Sequence, residues 1–227
     1  MQKLKRDSFD LKMNKRYPST GLRNMGYTIE TALAELADNA KDAKAKNIDI
    51  IFPSTLISAL KGVLVIQDNG NGMSYEKLMD AIEVGSDRKY SDKDSGFYGV
   101  GMNAAIAHLG DSALIQTRLK SDDIITELEW DIKNSTPIQM SQRPAVAGDI
   151  ACGTKIEITI GGQYVFYDKD SGKDSFVIKQ LSARYCNTLS AGTMKIFFDD
   201  IPVAPSDPFY RDKIKKDKVK RIGRAHV

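Results

Sequence analysis

Glu35 and Asn39 are four positions apart in the segment ELADNAKDA, and a helix would place them on one face. A carboxylate can accept a proton from a water molecule, and the carbonyl oxygen of an asparagine is a hard ligand suited to Mg²⁺. The pair could therefore serve hydrolysis of a phosphoanhydride. Acidic and amide side chains on a helix face are also common where they only meet solvent, so the pair alone leaves both interpretations open.

A second candidate follows the apolar segment VLVIQ, where Asp68 begins the sequence DNGNGM. Glycines at positions 70 and 72 would let the backbone approach a ligand closely, and Asp68 could accept a hydrogen bond from an exocyclic amine. Asp, Asn and Gly also make ordinary tight turns after strands. A turn and a ligand-binding loop both fit this segment.

Two further segments contain glycines beside regular structure. In SGFYGVGMNAA, Gly99 and Gly101 precede an Ala-rich helix, whose free N–H groups and dipole would favour a phosphate. The segment lacks the GK[ST] of a Walker A loop, and no strand leads directly into it as in a Rossmann fingerprint. In CGTKIEI, Gly153 and Thr154 open a strand, a pattern of low specificity by itself.

The elements that must position these residues follow from hydrophobic periodicity. The spacing of Ile, Leu and Ala predicts a helix over 28–44, preceded by a turn at Gly26, and Ser74 predicts the start of another helix. The remaining segments are predicted as helices over 74–82, 100–109 and 176–189, strands over 47–52, 63–67, 113–119, 124–132, 155–160 and 194–198, and a loop over 85–99. Since helices and strands do not alternate regularly, we expect an α+β two-layer sandwich, not a doubly wound parallel sheet.

Composition limits the class of protein. The 227 residues suffice for one substantial core, and no uncharged apolar run reaches the roughly 18 residues of a membrane helix. The N-terminal sequence has no apolar segment of a secretory signal, so we expect a cytoplasmic protein with no membrane partner. Cys152 and Cys186 are too few for a disulfide framework and are not spaced as a metal site.

The net charge of +3 is unevenly distributed. Residues 211–224 contain eight Lys/Arg and two Asp, a local charge of +6, which leaves −3 for residues 1–210. Such a segment is usually a solvent-exposed helix or linker, although contact with nucleic acid is the alternative. We therefore expect an N-terminal extension over 1–25, one domain over 26–210 and a basic tail or linker over 211–227.

The four candidate segments occur in a fixed order: ExxxN on a helix, DxGxG after a strand, GxG before a helix, and GT opening a late strand. This order and spacing resemble the N, G1, G2 and G3 boxes of the GHKL ATPases, which include gyrase B, heat-shock chaperones, histidine kinases and MutL. The resemblance covers residues 26–209. It implies the Bergerat fold, a mixed and mostly antiparallel sheet with helices on one face, and it implies binding of ATP and Mg²⁺.

The resemblance also implies residue roles. Glu35 would be the general base that activates water, and Asn39 would bind the Mg²⁺ that bridges the phosphates. Asp68 would bind the adenine amine, with Thr154 supporting it. The base pocket and phosphate cradle would include Gly70, Gly72, Met73, Gly99, Val100, Gly101 and Met102, with Lys89 and Lys93 as lid cations.

Within the family, MNAAIAHLGDSALIQTR and KIFFDDIPVAPSDPF resemble MORC and related prokaryotic ATPases. That similarity implies an ATP-gated homodimer that changes conformation in a DNA-associated system. Gyrase-like and MutL-like members take a phosphate-contacting lysine from a following domain, which this sequence does not include. The alternatives are a phosphotransferase, a chaperone-type ATPase and a non-enzymatic DNA-binding module. His108 and His226 fit structural or solvent-exposed roles better than a phosphoacceptor role.

Overall fold

A computed structural model describes residues 6–9, 26–53, 62–82, 101–134, 136–160 and 176–207. Within these ranges the chain forms one nine-stranded sheet and five helices. The strands are β1 (Arg6–Phe9), β2 (Asn47–Ile51), β3 (Val63–Asp68), β4 (Ser112–Arg118), β5 (Ile124–Asp131), β6 (Ile138–Pro144), β7 (Gly153–Thr159), β8 (Lys195–Phe198) and β9 (Ile201–Pro202). The helices are α1 (Ile29–Asp42), α2 (Tyr75–Ile82), α3 (Gly101–Leu109), α4 (Phe176–Arg184) and α5 (Cys186–Ser190).

The sheet has the strand order β1-β6-β5-β4-β7-β3-β2-β8-β9. Among the described strands, only the pairing of β2 with β8 is parallel, so the predicted mixed, mostly antiparallel sheet is confirmed. Alternate residues of β2, β3, β4 and β7 are buried, as expected for a sheet that is covered on one face.

The core lies between this buried face and the helices. Leu33 and Leu36 of α1 and Ile106 of α3 share a single cluster with strand residues such as Ile50 and Ile115. α1 packs against both α3 and α4. The predicted two-layer α+β sandwich is therefore confirmed, and its packing holds α1 and α3 side by side.

The boundaries of most predicted elements agree with the structure to within two residues. The single helix predicted over 176–189 is wrong, because Tyr185 separates α4 from α5. The Tyr185 hydroxyl donates to the carbonyl of Ala34, which ties this break to α1.

Three strands were not predicted: β1, β6 and β9. β1 lies within the predicted N-terminal extension, yet it pairs with β6 at one edge of the sheet. The predicted loop 85–99 and the basic segment 211–224 lie outside the described residues. Among the residues that the structure describes, no helix is long and apolar enough to cross a membrane.

Candidate functional site

Hydrogen bonds define both ends of α1, the helix that carries the predicted catalytic face. Thr28 caps it, since the Thr31 amide donates to the Thr28 hydroxyl at 3.3 Å and the Thr28 amide donates to the Thr31 hydroxyl at 2.7 Å. At the other end, Lys44 has a φ of 62°, and the Ala45 amide donates to the carbonyl of Ala40 at 3.0 Å. This Schellman-type closure fixes where the chain leaves the helix.

The predicted pair lies on the same side of α1 and is not part of its buried face. Glu35 is half-buried and Asn39 is exposed, whereas neighbouring residues such as Leu36 and Ala37 are buried. Both side chains are therefore accessible from the surface. The pattern that predicted one polar face is confirmed, and the helix presents an acid and an amide there.

Gly101, the first residue of α3, lies directly against Glu35. A Cβ placed on Gly101 would be 2.5 Å from Oε2 of Glu35, so a side chain there would force this carboxylate to move. The helix N-terminus beside it has N–H groups without partners inside the helix. The structure therefore places a carboxylate beside a helix terminus that suits an anion.

The electrostatic surroundings of Glu35 favour proton uptake. Partial burial raises the pKa of the Glu35 carboxyl above its ordinary value, and the negative charge of Asp38 raises it further. Arg184 of α4 opposes this effect and lowers the pKa of Glu35. Arg184 itself forms an ion pair with Asp38, and Oδ1 of Asp38 lies 2.8 Å from the Tyr185 hydroxyl.

Asp68 lies at the end of β3 and is almost completely buried. Burial raises the pKa of its carboxyl, while hydrogen bonds from the amides of Gly70 and Thr154 lower it. The Gly70 amide donates to Oδ1 of Asp68 at 2.7 Å. A buried carboxylate that retains acceptor capacity can bind a ligand that donates a hydrogen bond.

The turn after Asp68 is held by two neighbouring elements. The Asn71 amide donates to the carbonyl of Ala43 at 2.8 Å, which joins the turn to the end of α1. Gly72 has a φ of 68°, and a Cβ there would lie 2.0 Å from the Arg118 carbonyl oxygen. The segment is thus a tight turn that lies close to the backbone of Arg118, and its role as a ligand-binding loop stays a prediction.

Gly153 and Thr154 open β7 directly beside Asp68. Gly153 has a φ of 97°, and a Cβ on it would lie 2.1 Å from the Asp68 carbonyl oxygen. Glycine is therefore required there on both conformational and steric grounds. The short Gly-Thr pattern, which was unspecific in the sequence, brings the Thr154 amide to the Asp68 carboxylate.

Thr117 of β4 was not predicted as a site residue. It is completely buried, and its hydroxyl accepts a hydrogen bond from the Met73 amide at 2.8 Å. The same hydroxyl lies 3.0 Å from the Gly153 carbonyl oxygen and 3.2 Å from the Thr154 hydroxyl. Its sequence signal was weak, because a Thr within a strand is common.

The described candidates form two groups, which we name the base end and the phosphate end after the roles that the resemblance implies for them. The base end consists of Asp68, Gly70, Gly72, Met73, Thr117, Gly153 and Thr154. The phosphate end consists of Glu35, Asn39, Gly101 and Met102. Met102 is half-buried and packs against the core. Lys89, Lys93, Gly99 and Val100 lie outside the described residues.

The family model of histidine kinase-, DNA gyrase B- and HSP90-like ATPases matches residues 27–148 of this chain. The match spans more than half of the chain and includes Glu35, Asn39, Asp68 and Gly101. The chain belongs to this GHKL ATPase family. The predicted family is therefore confirmed, and with it the prediction of an ATP-binding domain.

Curated relatives of this GHKL domain are MORC proteins. It is 41% identical to ATPase morc-1 of Caenorhabditis elegans over 98 residues, which are 43% of this chain and 11% of that protein. It is 36% identical to MORC family CW-type zinc finger protein 1 of Homo sapiens over 91 residues, 38% of this chain and 9% of that protein. The aligned part covers about a tenth of the length of these relatives.

The resemblance implies that this GHKL domain binds Mg²⁺. Among the described residues, no three His, Cys, Asp or Glu side chains cluster as a metal-binding group. Mg²⁺ at nucleotide sites is commonly held by one or two side chains together with phosphates and water. Exposed Asn39, four positions from Glu35, fits that kind of site.

Proposed function

We propose that this chain hydrolyses Mg-ATP at the phosphate end, with Glu35 as the general base. The observation that supports the proposal is the direct approach of Glu35 to Gly101, the first residue of α3. A phosphate at this helix terminus would be next to a carboxylate that can accept a proton from an attacking water. The adenine would then lie at the base end, with its amine donating to Asp68.

The charge environment of Glu35 suits this role. Because burial and Asp38 raise the pKa of its carboxyl, Glu35 is a stronger base than an exposed glutamate. Arg184 limits this effect through its own positive charge and its pairing with Asp38. The ion pair also holds Asp38 against α4, so that Glu35 is the carboxylate available to accept a proton from the water.

Asn39 would contribute one oxygen ligand to Mg²⁺, and the phosphates of ATP would contribute others. The metal would neutralise charge that develops on the phosphates during cleavage. A single exposed amide would bind the metal weakly without nucleotide. We therefore expect Mg²⁺ and ATP to bind together.

We further propose that ATP binding closes a homodimer and drives a conformational change in a DNA-associated system. The similarity to MORC proteins supports this proposal. Because the aligned part covers about a tenth of those proteins, other domains would supply the remaining functions. A phosphate-contacting lysine from another domain would complete the site.

The test of hydrolysis is to measure ATP binding and phosphate release for Glu35→Ala. We expect the rate to fall by about 10²- to 10⁴-fold, the usual contribution of a general base, with ATP affinity changed only slightly. Glu30→Ala, in the first turn of the same helix, is the matched control and should retain the normal rate. A normal rate for Glu35→Ala would reject Glu35 as the base.

The fate of the labelled phosphate and the binding of nucleotide and DNA distinguish the competing functions. Labelled phosphate that appears on a partner protein, and not in solution, would indicate a phosphotransferase. Absence of nucleotide binding, together with DNA binding that is lost when residues 211–227 are deleted, would indicate a DNA-binding module.

A further inference from the structure

One buried side chain joins α3 to α2. Asn103, the third residue of α3, is completely buried, and its side-chain amide donates to the backbone carbonyl of Ile82 at 2.7 Å. Ile82 is the last residue of α2 and is also completely buried. The last carbonyls of a helix have no partners inside that helix, so Asn103 supplies a donor that the end of α2 needs. A side chain from α3 therefore caps the C-terminus of α2.

The other half of the Asn103 carboxamide has no partner. Its Oδ1 atom is buried without a hydrogen bond among the described residues. A buried acceptor without a donor lowers stability, whereas a leucine of similar shape would not have this cost. A side chain that only filled this space would favour leucine. The contact with Ile82 is therefore the feature that accounts for an asparagine at this position.

α2 is held at its other end by the base end. It begins after Ser74, whose hydroxyl accepts from the Lys77 amide at 3.2 Å. Ser74 directly follows Met73, and the Met73 amide donates to the Thr117 hydroxyl. A helix of eight residues is about 12 Å long. α2 thus connects the base end to the first turn of α3 as one short, rigid element.

Asn103 shares the first turn of α3 with Gly101, the residue that lies against Glu35. Two positions along a helix correspond to a rotation of about 200° around its axis. The Asn103 side chain therefore contacts α2, while Gly101 on the other side of α3 faces α1. Residues of one helical turn do not move independently, so the contact with Ile82 also fixes the N-terminus of α3 relative to Glu35.

We infer that Asn103 is a positioning residue that sets the spacing between the base end and the phosphate end. The inference rests on the proposed placement of ATP, with its base at Asp68 and its phosphates at the N-terminus of α3. Asn103 acts through the positions of α2 and α3 and not through contact with the nucleotide. A ligand that occupies both ends at once depends on this spacing, whereas a ligand that occupies the base end alone does not.

The test compares the affinities of the full chain for Mg-ATP and for adenosine, which lacks phosphates, in calorimetric titrations. Asn103→Leu removes the carboxamide at similar shape. We expect ATP affinity to fall about tenfold and adenosine affinity to stay unchanged, so that the ratio of the two affinities falls by the same factor. Ser182→Ala is the matched control, because it removes another buried side-chain donor to a backbone carbonyl, that of Ala204, and it should leave the ratio unchanged.

Three results would overturn the inference. An unchanged ratio in Asn103→Leu would show that the spacing does not depend on Asn103. An equal loss of affinity for ATP and adenosine would show a purely structural role, and the same change of ratio in Ser182→Ala would show a general effect of losing a buried hydrogen bond.

A second variant covers the case in which Asn103→Leu does not fold. Asn103→Ala removes the same carboxamide and introduces a strong helix former, and an unchanged ratio in that variant would equally reject the inference. Wild-type protein that binds neither ATP nor adenosine would reject the proposed nucleotide site itself, a failure distinct from that of Asn103.

Discussion

At the base end, the buried hydroxyl of Thr117 bonds to the backbone of two segments that lie 36 and 44 residues away in the chain. At the phosphate end, by contrast, Asn39 is exposed and Glu35 is only half-buried. The base end is stabilised by hydrogen bonds that form when the sheet folds. The phosphate end presents polar groups from two packed helices to the surface. We infer that the base end is preorganised and that nucleotide and metal complete the phosphate end.

This difference predicts that a change that disrupts the backbone packing of the base end affects folding and binding together, whereas damage to the phosphate end affects catalysis. The largest effect should come from Gly153→Ala. We expect it to lower the free energy of unfolding by about 3 kcal/mol and to abolish ATP binding, because the new Cβ would meet the Asp68 carbonyl and the residue would keep a positive φ. Thermal melts and calorimetry would measure both effects.

Gly148→Ala is the matched control. Gly148 has a φ of 96°, close to the 97° of Gly153, but a Cβ there would have no neighbour within 4 Å. We expect a loss of only about 1 kcal/mol, from backbone strain alone, with ATP affinity retained. Equal losses in the two variants would show that the contact with Asp68 contributes nothing.

A smaller effect, confined to binding, is expected for Asp68→Asn. Loss of a charged hydrogen-bond acceptor should weaken ATP binding by about 10- to 100-fold. Burial raises the pKa of the Asp68 carboxyl in the folded protein above its value in the unfolded chain. The stability that this carboxyl contributes is therefore present below the unfolded-state pKa and is lost as pH rises through the folded-state pKa. At neutral pH, Asn should therefore leave the melting temperature unchanged or higher, and a large decrease would contradict this explanation.

The smallest effect concerns the pH dependence of hydrolysis. Glu35 must be deprotonated to act as a base, so the rate should fall as pH decreases through a pKa that lies above the ordinary 4.5. Arg184→Ala removes a charge that lowers this pKa, and the acidic limb of the rate profile should move to higher pH. Lys179→Ala, on the same helix, is the control and should leave the acidic limb of the rate profile in place. A shift of that limb to lower pH in Arg184→Ala would contradict the prediction.

The sequence predicted the residues that local spacing determines. The positions of Glu35 and Asn39 on one helix face follow from helical periodicity, and Asp68 follows from the end of an apolar strand. Ser74 was also predicted as a helix cap, and its hydroxyl accepts from the Lys77 amide at 3.2 Å. These features need no knowledge of distant contacts.

What escaped prediction depends on pairing between distant strands. Thr117 becomes a site residue only because β4 lies next to β7, and no local pattern reports that register. Gly153 likewise lies against the Asp68 backbone, a contact that its neighbours in the sequence do not report. β6, with the sequence IQMSQRP, ends in a proline and has few β-branched residues, so it lacked a strand signal.

The most direct test of the central claim is a structure of the chain with Mg²⁺ and a non-hydrolysable ATP analogue. We expect the adenine amine within hydrogen-bond distance of the Asp68 carboxylate and the terminal phosphate between Glu35 and the N-terminus of α3. We also expect Asn39 to bind the Mg²⁺. A nucleotide with its base beside Gly101, or one bound away from both ends of the site, would contradict the account.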